Sequence, residues 1–223
     1  MAGTPPDDEP DLPATFHVGD AAATLLALAD VRSFVVEPEQ RWFDSTDGRL
    51  RIHPPLVAPI DPECGGLFDY VGSLPERLGA HAVVLMQAGA TSLGWFEDGV
   101  CVETKSFRRY VVRGKGRAQP THLKSKGKSR YGSRLRLQNA DLLMSETSER
   151  LVTWWETFGP PQRLFVSCPV RLWASLFDAD PRPPFGRDVV PTRIPRDLPR
   201  PTSDLVLRTY RFLCHGRVER LAD

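Results

Sequence analysis

Between His81 and Val112 the chain runs through three strand-length segments, His81–Gln87, Thr91–Glu97 and Val100–Val112. This succession limits the fold more than any other feature. The first segment is a continuous apolar run of strand length, and the links Ala88-Gly89-Ala90 and Asp98-Gly99 are short turns, so the three strands form an antiparallel meander. Ser133–Phe158 then reads as one long helix, with apolar Leu135, Leu142, Leu143, Leu151, Val152, Trp155 and Phe158, stopped by Gly159-Pro160-Pro161.

After that helix the pattern alternates. A short buried strand is expected at Arg163–Cys168, a short helix at Val170–Phe177, a strand at Val189–Ile194 within a proline-rich stretch, and a last helix at Asp204–His215 ending at Gly216. Three antiparallel strands followed by alternating helices and strands predict an α/β domain with a ribonuclease H-like mixed sheet over residues 80–223. Residues 1–15, rich in proline and acid, are expected to be a disordered tail. Residues 16–79 are expected to be an N-terminal extension packing on the main domain. It would carry a helix at Ala21–Ala29 capped by Asp20, and strands at Ser33–Glu37, Arg41–Phe43 and Arg49–His53. A short helix opened by Ser73 and Pro75 would end near Gly79.

The charges are distributed unevenly. The chain holds 29 Lys and Arg against 28 Asp and Glu, a net charge of +1. Twelve of the basic residues lie between Lys105 and Arg136, a stretch without an acid; setting them aside leaves 17 basic residues against 28 acidic. The remainder, about −11, is an acidic body carrying one strongly basic element, which is the signature of a nucleic-acid contact. Gly114, Gly116, Gly127 and Gly132 make that element a loop, roughly 113–131, delivered by the third strand and followed by the long helix.

Several chemistries are excluded. Cys64, Cys101, Cys168 and Cys214 have no close pair, and the five histidines are scattered, so neither a zinc site nor a disulfide framework is suggested and no metal or cofactor is expected. Gly127-Lys128-Ser129 imitates the end of a phosphate-binding loop, but His122 stands where the first glycine is required and no strand leads into it, so no nucleotide triphosphate is expected. A two-metal nuclease needs clustered carboxylates, and the strand His81–Gln87 has none, although Glu97, Asp98, Glu103 and Asp141 lie nearby in sequence. Trp42, Trp95, Trp154, Trp155 and Trp173 read as packing residues and not as base-stacking platforms. Met1–Pro13 has neither the basic nor the apolar part of a targeting leader, and no apolar run approaches the roughly 18 residues that cross a bilayer. The expected compartment is the cytoplasm, with no membrane partner.

One neutral residue stands inside the basic element. Gln119 ends Arg113-Gly114-Lys115-Gly116-Arg117-Ala118-Gln119. An amide offers two donors and an acceptor but no usable proton-transfer pKa, so its chemical use is to orient a water or a hydroxyl, with neighbouring cations stabilising charge that develops on an ester or phosphate oxygen. His122 is a phosphate-contacting group or, less simply, a proton carrier.

The run Tyr110-Val111-Val112-Arg113-Gly114-Lys115-Gly116-Arg117-Ala118-Gln119, followed by Gly132-Ser133-Arg134-Leu135-Arg136, resembles the catalytic domain of the Vms-like release factors, in their bacterial, actinobacterial-type branch. These are relatives of the central domain of eukaryotic and archaeal class-1 peptide-release factors. The likeness covers about residues 80–215. Arg117 and Ala118 replace the two glycines that precede the glutamine in release factors. The resemblance implies action on peptidyl-tRNA at the large ribosomal subunit, either by hydrolysing the peptidyl ester or by cutting the tRNA just before its CCA end. It also implies Gln119 as the residue that positions the nucleophile. Arg113, Lys115 and Arg117 would contact the tRNA acceptor end or ribosomal RNA; His122, Lys124, Lys126, Lys128, Arg130, Arg134 and Arg136 complete the expected RNA-binding set. The alternative is a non-catalytic module whose basic loop docks into ribosomal RNA or tRNA.

Overall fold

The computed structural model describes residues 13–36, 41–111 and 128–221, with side chains from residue 134 onward in the last stretch. In chain order the elements are β1 (Thr15–His17), α1 (Ala21–Val31), β2 (Phe34–Val36), β3 (Phe43–Ser45), β4 (Leu50–His53), α2 (Leu67–Ser73), β5 (Ala80–Gln87), β6 (Ala90–Glu97) and β7 (Val100–Arg108). They continue with α3 (Lys128–Phe158), β8 (Arg163–Ser167), α4 (Val170–Leu176), β9 (Thr192–Arg193), α5 (Ser203–Leu213) and β10 (His215–Arg220). The chain divides into two compact units: Met1–Leu78 with Arg211–Asp223, and Gly79–Tyr210.

The first unit has its own five-stranded sheet, ordered β1-β10-β4-β3-β2, antiparallel at every pair. Its β4 alternates as a half-covered strand should: Leu50 and Ile52 are buried, while Arg51 and His53 point away from the core. Leu25 and Leu28 of α1 join Phe43, Ile52 and Tyr70 in that core. Asp20 occupies the residue before α1, as expected, but its side chain makes no capping bond.

Three expectations change in this unit. Of the stretch expected to be a disordered tail, residues 1–12 lie outside the described residues, and Thr15 is part of β1, paired with Arg217. The short helix ends at Ser73 instead of starting there, because Leu67 and Tyr70 are buried on it and Tyr70 anchors it by donating to Ala58 O at 2.6 Å. Pro75 therefore follows a helix end, where a missing N–H costs nothing. Finally, the last helix stops at Leu213 and Gly216 lies within β10, not at a helix terminus. The Phe16 ring lies against Gly216 so closely that a Cβ there would sit 2.3 Å from Phe16 Cζ.

The second unit contains the mixed sheet, ordered β7-β6-β5-β8-β9, with β5, β6 and β7 antiparallel and β8 and β9 parallel. Strand β6, second in that order, is buried from Ala90 to Phe96 and so must be covered on both faces. Leu143, Leu151 and Trp154 of α3 pack with Val84, Leu93 and Trp95 on one face. The other face carries Gly94 and Phe96, and there the Tyr210 ring stacks on Phe96 with centroids 3.6 Å apart. Gly94 permits this approach, since a Cβ on it would lie 2.4 Å from Val206 Cγ1. His81 is also buried here, its Nδ1 sharing a hydrogen bond with the Tyr210 hydroxyl at 2.8 Å and its ring edge-on to Phe165. Burial, helped by the Arg163 charge, pushes its pKa down to about 4, so the ring is neutral at physiological pH. Among the described residues, no helix is long and apolar enough to cross a membrane.

Candidate nucleic-acid interface

The basic segment leaves the sheet at β7 and returns as α3. Asp98 and Gly99, with φ of 47° and 87°, form the tight turn between β6 and β7. From there the pairing runs back to Ala90 opposite Arg108, and one further bond joins Arg109 N–H to Gly89 O at 3.0 Å. Because β6 begins at Ala90, β7 has no partner beyond this point. It ends at Arg108 and not at Val112 as the apolar run suggested. At the other side, α3 begins at Lys128, five residues before the expected Ser133. Lys128 and Arg130 thus ride on the first turn of the helix and are not loop residues.

One stripe of α3 is stitched along β7. Asn139 Nδ2 donates to Tyr110 O at 2.8 Å. Arg109 forms a two-pronged pair with Glu146, its Nε donating to Oε2 at 3.0 Å and its terminal nitrogen to Oε1. Arg150 donates to Glu103 Oε1 at 3.1 Å, and Trp154 Nε1 to Glu103 Oε2 at 2.9 Å. Positions 139, 146, 150 and 154 are spaced by four or seven residues, which puts them on one helix face. The Glu146 carboxylate also holds the Arg109 guanidinium above its already high pKa, so it stays charged. Partly exposed pairs of this kind contribute about 0–1 kcal/mol each to stability. Their larger effect is positional: the entry to the basic segment is held against the helix that follows it.

Gln119 lies outside the described residues, as do Arg113, Lys115, Arg117, His122, Lys124 and Lys126. Lys128 and Arg130 are described by backbone alone. Arg134 is exposed on α3 and Arg136 half-buried; among the described side chains of this helix, Leu143 is the first that is fully buried. Sequence reasoning missed the anchoring side chains Asn139, Glu146 and Glu103. The helical spacing of Asn139, Glu146 and Arg150 was the available signal. Glu103 had been weighed as a metal ligand, whereas its carboxylate is occupied by Arg150 and Trp154. Among the described residues, no three His, Cys, Asp or Glu side chains are grouped to hold a metal ion.

A comparison with curated proteins gave no match. Among solved structures, one titled "Vms1 mitochondrial localization core" aligns with a TM-score of 0.49 and 13% sequence identity, covering 92% of this chain and 82% of that one. The family model described as Bacteroidetes VLRF1 release factor matches residues 81–221, a span that takes in β5–β7, the basic segment, α3 and nearly everything after it. The chain belongs to the VLRF1 release-factor family.

Proposed function

We propose that the protein cleaves peptidyl-tRNA on the large ribosomal subunit and so frees nascent chains from stalled ribosomes. The observation that carries this reading is the family match over residues 81–221, which brackets the Gln119 segment. The ties between β7 and α3 support it, because they hold the entry of that segment against its following helix.

In this mechanism Gln119 orients the attacking group, and its amide oxygen accepts from the water or ribose hydroxyl that becomes the nucleophile. Arg113, Lys115 and Arg117 contact the acceptor end and stabilise the charge that grows on the ester or phosphate oxygen. Lys124, Lys126, Lys128, Arg130, Arg134 and Arg136, with His122, hold phosphates of tRNA or ribosomal RNA. Arg117 and Ala118 stand where release factors carry two glycines, and the family model that matches the segment is the Bacteroidetes one, not the actinobacterial-type branch expected from the sequence. The protein would work in the cytoplasm, without a metal or nucleotide cofactor.

The test is incubation with peptidyl-tRNA on purified large subunits. Wild type should release the peptide and Gln119→Ala should lose at least about a hundredfold in rate, the scale of a lost positioning group. If both leave the substrate intact while still binding, the protein is an RNA-docking module and the enzymatic reading fails. Mapping the tRNA 3′ end identifies the bond: an intact CCA marks ester hydrolysis, a missing one marks cleavage of the phosphodiester.

A further inference from the structure

The exit of β7 borders a recess that the sequence did not single out. Gln87, Arg108, Arg109, Tyr110, Val111 and Arg200 are among the residues lining a cleft of about 540 Å³. That size falls within the roughly 300–1,000 Å³ of small-molecule sites. Three segments meet there: the end of β5, the end of β7, and the proline-rich stretch before α5. Gln87 Nε2 donates to Leu198 O at 2.7 Å and to Pro199 O at 3.3 Å, which pins this stretch to the sheet and brings Arg200 to the cleft. Arg200 also reaches Gly89 O at 3.5 Å.

The charges in the cleft are unequal. Glu146 takes up the Arg109 guanidinium, whereas Arg108 and Arg200 form no ion pair among the described residues. Tyr110 is 58% exposed. Two uncompensated guanidiniums and an exposed aromatic ring around a nucleotide-sized recess match what unpaired nucleic acid requires: fork-shaped donors for phosphate and a flat face for a base.

We infer that the cleft takes one nucleotide of a single-stranded RNA, its base on the Tyr110 ring and its phosphate between Arg108 and Arg200. Gln87 is a positioning residue that sets Arg200. The identification of this RNA as the unpaired 3′ end of tRNA rests on the proposed function; the binding chemistry does not.

The test uses the full chain and a fluorescein-labelled single-stranded RNA hexamer ending in CCA, followed by anisotropy without ribosomes, with an abasic hexamer as the charge-matched control. Arg108→Gln with Arg200→Gln should weaken binding of both probes at least about tenfold and make the log–log salt slope shallower by about 1.4, two phosphate contacts at roughly 0.7 each. Tyr110→Ala should weaken the CCA probe at least about fivefold, leave the abasic probe unchanged, and be rescued by Tyr110→Phe. Gln87→Ala should reproduce the Arg200 effect in part. Wild-type binding by the double arginine variant, or equal losses on both probes for Tyr110→Ala, overturns the inference. A protein that binds as described but does not cleave peptidyl-tRNA sinks the proposed function alone. One that cleaves normally with all four residues changed sinks the identification of that RNA as the tRNA 3′ end alone.

Discussion

His81 should make the second unit sensitive to acid in a way that one substitution removes. In the folded protein its pKa stands at about 4 against an ordinary value of 6.5, chiefly because burial disfavours the charged ring. The unfolded chain therefore takes up a proton as the pH falls below about 6.5, while the folded chain resists until about 4. This contribution is complete above 6.5 and declines through the window between the two values, because the unfolded state binds more protons there. At 1.36 kcal/mol per unit the full loss is about 3 kcal/mol. The comparison is with His81→Phe, which loses the Tyr210 bond at every pH and titrates nowhere in this range. Urea unfolding followed by tryptophan fluorescence at pH 7, 6, 5 and 4.5 gives both stability curves. Carboxylates common to the two proteins cancel in the difference. The wild-type advantage should shrink steadily, with about 2 to 3 kcal/mol gone by pH 4.5. Curves that stay parallel within about 0.5 kcal/mol would mean that the ring is solvated or already protonated, and the reasoning would fail.

Other consequences are simpler to check. Gly94→Ala should destabilise the protein by about 1–3 kcal/mol in the same urea experiment, since the added methyl meets Val206 and Phe96 at 2.4 and 2.7 Å; an unchanged midpoint would refute the close packing of α5 on β6. Glu146→Gln should cost less than about 1 kcal/mol of stability, because the pair is partly exposed, yet speed amide exchange at Tyr110 and Val111 and slow peptidyl-tRNA cleavage. Unchanged exchange would remove the argument that this pair holds the entry of the basic segment.

The strands of the mixed sheet and the long helix could be read along the chain because their signals are local. A run such as His81–Gln87 declares its type, and Asp98-Gly99 suits a turn with two positive φ values. The candidate segment is marked by equally local features, twelve cations without an acid, glycine spacing and one amide, but most of it lies outside the described residues. Its boundaries were less legible. The end of β7 depends on where β6 starts, and the start of α3 competes with glycines at 127 and 132 that spoke for a loop.

The sequence by itself determined the meander, the helix after it, the charge asymmetry and Gln119 as its odd residue, since each is a property of neighbours in the chain. Tertiary structure alone decided that the last strand belongs to the first unit's sheet, that Gly216 serves a ring 200 residues away, and that Glu103 and Glu146 hold α3. It also brought Arg200 beside Arg108. The physical reason is that pairing and packing partners are chosen by complementary surfaces across the fold, and no period or spacing along the chain records which distant surface is met.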